Sequence, residues 1–345
     1  MKKTVAIIIL IFVAFCMFYF GQPVLNYGFV QLPILLILLL LIAVVLFTKL
    51  AVNPANKQLI IKQKPSKIFS VLIAVVLAYV IILPLATSLP MFRSESYRNL
   101  IGEVKDGNDL KNHIAPISLD EIRVVDERLA MLLGEKIIGS QPSLGSQAEI
   151  GDFTIQKVNN KLYWVAPLLH TGFLKWINNS EGTPGYVMVS ATNERDVKLV
   201  QDINGKPLKI KYQPEAFLGS EIKRHVYFSG YATIGLTDFS FEIDDAGNPF
   251  WIVTTYKKEI GFGGSDATGT LVVNAQTGEI TQYAMTDTPL WVDRIQPLHL
   301  IEEQLADWGE YVQGYWNWSN ENKLQITEGL TLVYGENHKS YWYTG

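Results

Sequence analysis

Hydrophobic positions are distributed along this chain in two different ways. Up to about residue 90 they form unbroken runs, Val5–Phe20, Val30–Leu50 and Ile68–Leu89, and between Leu35 and Phe47 no side chain is polar. A helix needs about 20 apolar residues to cross the ~30 Å hydrocarbon core, whereas a soluble helix keeps one face polar. The runs therefore predict a membrane domain over residues 1–90, with transmembrane helices at about 5–20, 30–50 and 68–89. A secretory signal peptide also begins basic and then apolar. Gly21-Gln22-Pro23-Val24 offers no small-x-small cleavage site, however, so the first run reads as an uncleaved helix.

Beyond residue 90 the pattern shortens to strand-length alternations punctuated by Gly, Asn and Pro. Three sites share a polar turn followed by an aromatic pair. They are Asn159-Asn160 before Tyr163-Trp164, Asp245-Ala246-Gly247-Asn248 before Phe250-Trp251, and Gly335–Lys339 before Tyr341-Trp342. The pairs stand 87 and 91 residues apart. A second landmark, Gly185–Ala191, returns as Gly269–Ala275 after 84 residues. A helical stretch opens each unit. The first runs from the capping box Ser118-Leu119-Asp120-Glu121 to about Ile138, and the others follow Gln213-Pro214 and Gln296-Pro297, the last as Leu298–Val312. The expected fold is α+β: three N-terminal transmembrane helices, then repeated helix-plus-antiparallel-sheet units at 91–212, 213–294 and 295–345. The third unit reads as incomplete, with its last strand an open edge.

Charge divides the chain at the same place. Residues 1–90 carry seven Lys and no acidic residue (+7), while the remainder holds 22 basic and 33 acidic residues (−11). Lys2 and Lys3 flank the first run, and Lys49, Lys57, Lys62, Lys64 and Lys67 lie between the second and third. The positive-inside rule then expects a multi-pass protein of the cell membrane with a cytoplasmic N-terminus and an extracytoplasmic C-terminal domain. An acidic outer domain excludes nucleic acid as a natural partner. The bilayer is the first partner expected, and an envelope protein or peptide the second. The single cysteine, Cys16, lies in the first run, so the outer domain must be held by its core.

The segment Thr270–Ile280, with Asn274-Ala275 leading into Thr277-Gly278-Glu279, resembles the closing hairpin of PepSY-type domains. The chain as a whole resembles an uncharacterised family of bacterial membrane-anchored proteins with PepSY-like α+β repeats. The resemblance implies an extracytoplasmic binding or regulatory module.

No motif spells out a catalytic machine, and no catalytic, cofactor or metal-binding residue is expected. Gly261–Gly269 lacks the lysine of a phosphate loop and joins two strands, so it reads as a mobile hairpin loop. His113, His170, His225, His299 and His338 show no metal-ligand spacing. Glu242, Asp244 and Asp245 could supply oxygens to a weak Ca²⁺ site, with a solvated hairpin the plainer reading. Glu302, Glu303 and Asp307 read as an exposed helix face. The cluster around Trp308, Tyr315, Trp316 and Trp318 is the candidate surface for a partner or glycan, with a hydrophobic seam as its alternative. The function expected is a non-enzymatic, membrane-anchored binding or regulatory protein of the envelope. The alternatives are an enzyme acting on cell-wall polymer and a structural subunit of an envelope assembly.

Overall fold

A computed structural model describes residues 3–47, 49–52, 59–63, 67–105, 122–145, 147–327, 329–334 and 340–345. The capping box at Ser118–Glu121 and the third polar turn, Gly335–Lys339, lie outside the described residues, as do Lys2, Lys57 and Lys64.

The apolar runs form helices α1 (Lys3–Gly21), α2 (Gln31–Phe47) and α3 (Lys67–Thr87), and α2 packs against both of the others. Two are long and apolar enough to cross a membrane, α1 over Thr4–Gly21 and α3 over its whole length. Among the described residues no residue of α3 is buried, whereas a soluble core helix is mostly buried. The expectation of three full-length spans is corrected at α2. Its 17 residues reach about 26 Å at 1.5 Å per residue. It stops short of Leu50 because the chain enters a hairpin, β1 (Lys49–Val52) with β2 (Leu59–Gln63).

Two residues beyond α3, an extended Leu89 turns the chain into α4 (Pro90–Arg98). The next described helix, α5 (Glu127–Gly139), begins later than the sequence suggests. Asp126 is its N-cap, with the side chain accepting from the Leu129 N–H at 2.7 Å. Asp126→Ala should cost about 1 kcal/mol of domain stability, read from the denaturant midpoint.

Past a single turn, α6 (Pro142–Gly145), comes a five-stranded antiparallel sheet. Its strands are β3 (Ala148–Ile150), β4 (Thr154–Val158), β5 (Lys161–His170), β6 (Tyr186–Ser190) and β7 (Val197–Val200). β3 and β4 lie end to end along one edge of β5, and β6 lies along the other. A short helix, α7 (Phe173–Asn178), interrupts the path from β5 to β6, and a small hairpin, β8 (Asp202–Ile203) with β9 (Lys206–Pro207), follows. The second sheet is a four-stranded meander of β10 (Gly235–Ile243), β11 (Pro249–Ile260), β12 (Gly263–Asn274) and β13 (Ile280–Ala284). Its helix, α8 (Ile222–Val226), begins eight residues after Pro214, where Glu221 caps the Lys223 and Arg224 N–H groups. The third section has α9 (Leu298–Glu310) and a two-stranded hairpin, β14 (Thr331–Tyr334) with β15 (Ser340–Tyr343).

The Gly261–Gly269 stretch is not a loop. Only Gly261 and Phe262 form the turn, Gly261 at φ +62°, and pairing with β11 takes up the rest. Its tip is docked: the Phe262 N–H bonds to Ser88 Oγ at 2.8 Å, and the Phe262 ring meets Tyr79 of α3 edge-on.

The aromatic pairs stand near the start of the second strand of each hairpin, and their indoles do the same work. Trp164 donates to the Val125 carbonyl at 2.9 Å, Trp251 to Tyr212 at 2.7 Å and Trp342 to Gln296 at 3.0 Å. Each acceptor lies in the segment leading into that unit's helix. Val125 and Tyr212 in turn donate their N–H groups to Ala191 and Ala275, the last residues of the second landmark. A Trp on the second strand thus fastens helix entry to sheet.

Burial follows the strand alternation. Trp164, Ala166, Val187 and Val189 pack against α5, while Tyr163, Val165 and Met188 face Phe241, Trp251, Val253, Leu271 and Val273 of the second sheet. Leu332, Tyr334 and Trp342 cover Ile155, Leu162 and Ala191.

Candidate functional site

β4 and β10 are edge strands of the two sheets that lie close together without a backbone ladder between them. They are joined through side chains. Gln156, 2% exposed, donates to the Phe241 carbonyl at 2.7 Å and accepts from the Ile243 N–H at 2.9 Å. The Lys157 N–H is taken by Asp293 Oδ2 at 2.7 Å, and the Asn159 N–H by Asp245 Oδ1 at 2.7 Å. Buried N–H groups need acceptors, and carboxylates supply strong ones.

Two of these acids meet at the centre of the joint. Glu242, 1% exposed, accepts the Asp293 N–H at 2.9 Å. Asp293 also accepts from the Tyr334 hydroxyl at 3.2 Å. The pair therefore gathers β4, β10, the segment after β13 and β14. Burial, and then the charge of Asp293, push Glu242 up to about 8. Burial pushes Asp293 up to about 7 against the opposing bonds from Lys157 and Tyr334. The arrangement can hold a proton near neutral pH. A general acid must reach its substrate, and this pair is sealed from solvent.

Beside the joint is a cleft of about 380 Å³ lined by Thr154, Asp238, Ser240, Phe241, Trp251 and Arg294, among others. Asp238 stands at a bulge in β10 with φ +51°, and burial raises its pKa against the pull of Arg294 and His299.

The sequence-derived candidates separate. Tyr315, Trp316 and Trp318 come together in the loop after α9, with ring centroids 5.2 and 5.5 Å apart, and are 45%, 55% and 82% exposed. Trp308 is half-buried on α9 itself. Asn317, a natural sugar-binding amide, is spent on the loop's own shape: it donates to the Glu321 carbonyl and accepts from the Ser319 hydroxyl and the Glu321 N–H. On α9, Glu303 is exposed, but Asp307 turns partly inward, and burial with the charge of Glu303 raises it to about 6.

The carboxylates considered for Ca²⁺ are committed elsewhere. Glu242 is sealed, and Asp244 accepts from Ala246, Asn248 N and Asn248 Nδ2 within its own turn. Among the described residues no group of three His, Cys, Asp or Glu is placed to hold a metal. His170 is buried with neither ring nitrogen bonded, and burial lowers its pKa. His225 meets the Gly278 carbonyl, and His299 meets Thr237. His113 and His338 lie outside the described residues.

Sequence reasoning passed over Asp293, Lys157 and Tyr334. One signal was available. Alternation puts Glu242 on the face of β10 opposite Phe241 and Ile243, and a charged residue inside an apolar strand asks for a buried partner. Compared with protein-family models, curated proteins and solved structures, the chain matches none.

Proposed function

We propose that this chain is a membrane-anchored binding or regulatory protein, non-enzymatic, whose PepSY-like β-rich domain lies outside the cytoplasm of a bacterial cell and engages an envelope protein or peptide. The observation that carries the reading is the joint pattern of grease and charge. α1, α2 and α3 form one apolar bundle, and every lysine of residues 1–90 falls at the start of α1 or between the end of α2 and the first residue of α3. Three crossings reconcile the two, with α2 at the short end of the usual range of about 17–25 residues. Binding by strand addition is supported by β13, which among the described residues pairs only β12 and leaves its outer edge open. The sealed state of the Glu242–Asp293 pair weighs on the same side, since their acids cannot meet a polymer.

Two measurements test it. Protease added to intact cells should remove the portion after residue 90, and survival of that portion until the cells are broken would reverse the orientation. Crosslinking in membranes followed by mass spectrometry should recover a protein or peptide joined near Ile280–Ala284. Recovery of peptidoglycan fragments alone would favour the enzymatic alternative.

A further inference from the structure

The loop after α9 is placed against the part of the chain that leaves the membrane helices. Tyr311 lies beside Tyr97 of α4, with centroids 6.3 Å apart, and a Cβ at Gly314 would stand 3.9 Å from Ser94 Oγ. Ser94 is only six residues past Ser88, on the order of 13 Å through the extended Leu89 and the first turn of α4. Tyr315, Trp316 and Trp318 follow directly and point three large rings outward.

A second group of apolar rings lies against α1. Phe228 stacks on Tyr19 and meets Phe18 edge-on at the outer end of α1, yet remains 48% exposed. Near it, Leu218 and the α7 residues Leu174 and Ile177 are exposed, while Phe173 of α7 rests on Phe217. Exposed apolar rings therefore stand both against the C-terminal end of α1 and beside the segment that leaves α3.

We propose that Tyr315, Trp316 and Trp318 lie in the headgroup region of the outer leaflet, holding the extracytoplasmic domain down on the bilayer. The proposal rests on the reading that the helices span a membrane. Tyr and Trp favour that layer because their apolar body and polar tip match it. A glycan would need positioned hydrogen-bonding groups beside the rings, and Asn317, 8% exposed, turns its amide into the loop instead.

Tryptophan emission gives a direct test, because all eight Trp lie beyond residue 163 and, of these, Trp316 and Trp318 are the exposed ones. The full chain is reconstituted in phosphatidylcholine–phosphatidylglycerol nanodiscs with and without acyl-brominated lipid. Brominated lipid should quench the emission, and in the Trp316→Ser/Trp318→Ser variant that quenching should fall to less than about half, because those rings sit at the interface. The fold is followed by the melting midpoint, which exposed substitutions should leave nearly unchanged. Incorporation of the chain with equal lipid quenching in both proteins, or with quenching by aqueous iodide alone, overturns the headgroup placement and leaves the membrane anchor standing. Shielding of both rings from iodide by a cell-wall oligosaccharide in lipid-free detergent also overturns it. Failure of the chain to enter the disc overturns both readings.

Discussion

Trp251→Ala is expected to cost about 3–5 kcal/mol, enough to leave the β-rich domain largely unfolded at 37 °C. Trp251 is 4% exposed and packs edge-on against Phe241 at 5.4 Å. It lies in the cluster that joins the first sheet to the second and holds the helix-entry segment through the Tyr212 carbonyl. Removing it opens a cavity between the sheets and leaves that carbonyl without its partner. Trp251→Phe separates the two effects: it keeps most of the ring, and its cost should be about 1–3 kcal/mol for the unpaired acceptor. The same change at Trp342, on a partly exposed hairpin, should cost less, because water can replace the lost donor. Chemical denaturation of the full chain in detergent measures all three. Equal losses at Trp251→Phe and Trp342→Phe would show that burial does not set the cost.

These tryptophans were legible in sequence because their role is local in pattern. A polar turn, an aromatic pair and a Gly-to-Ala strand recur in order, and each copy solves the same problem of fastening helix to sheet. The apolar runs were legible for a similar reason, since uninterrupted hydrophobicity over such lengths has few soluble uses. What failed to show depended on partners far away in the chain. α2 ends at Phe47 where a continuous apolar reading runs to Leu50, because pairing with Leu59–Gln63 claims the residues that follow. Gly263–Gly269 looks like a loop by composition, yet most of it pairs with β11 across a bulge. The acidic joint is the extreme case: Asp293 reaches back 136 residues to Lys157 and 51 to Glu242, with no motif linking them. Trp308 looked like part of the aromatic cluster because sequence proximity does not reveal that a helix end separates it from the rings beyond.

The joint makes the domain's stability fall as pH rises through neutrality. Glu242 and Asp293 have folded values of about 8 and about 7, above the ordinary 4.5 and 3.8. Between those limits the folded state holds protons that the unfolded state has released, so raising pH favours unfolding until about pH 8, where the effect levels off. Facing the pair are Arg294, the Lys157 N–H and side-chain charge, and the Tyr334 hydroxyl, with Arg123 lying over the Tyr334 ring. These offset the burial without cancelling it. His170 works in the opposite sense, but its lowered pKa affects stability only below its ordinary value of 6.5. Asp307, at about 6, adds to the fall chiefly at lower pH. A scan from pH 6.5 to 8.5 therefore reads chiefly the pair, and the domain should lose about 3 kcal/mol across it, at 1.36 kcal/mol per pH unit for each unmatched proton. Glu242→Gln keeps an oxygen for the Asp293 N–H and removes the charge, so it should flatten the profile and raise the melting midpoint at pH 8.5 above that of the parent. A parent profile that is flat or rising over this range would mean that the joint is wet and that its acids are ionised throughout.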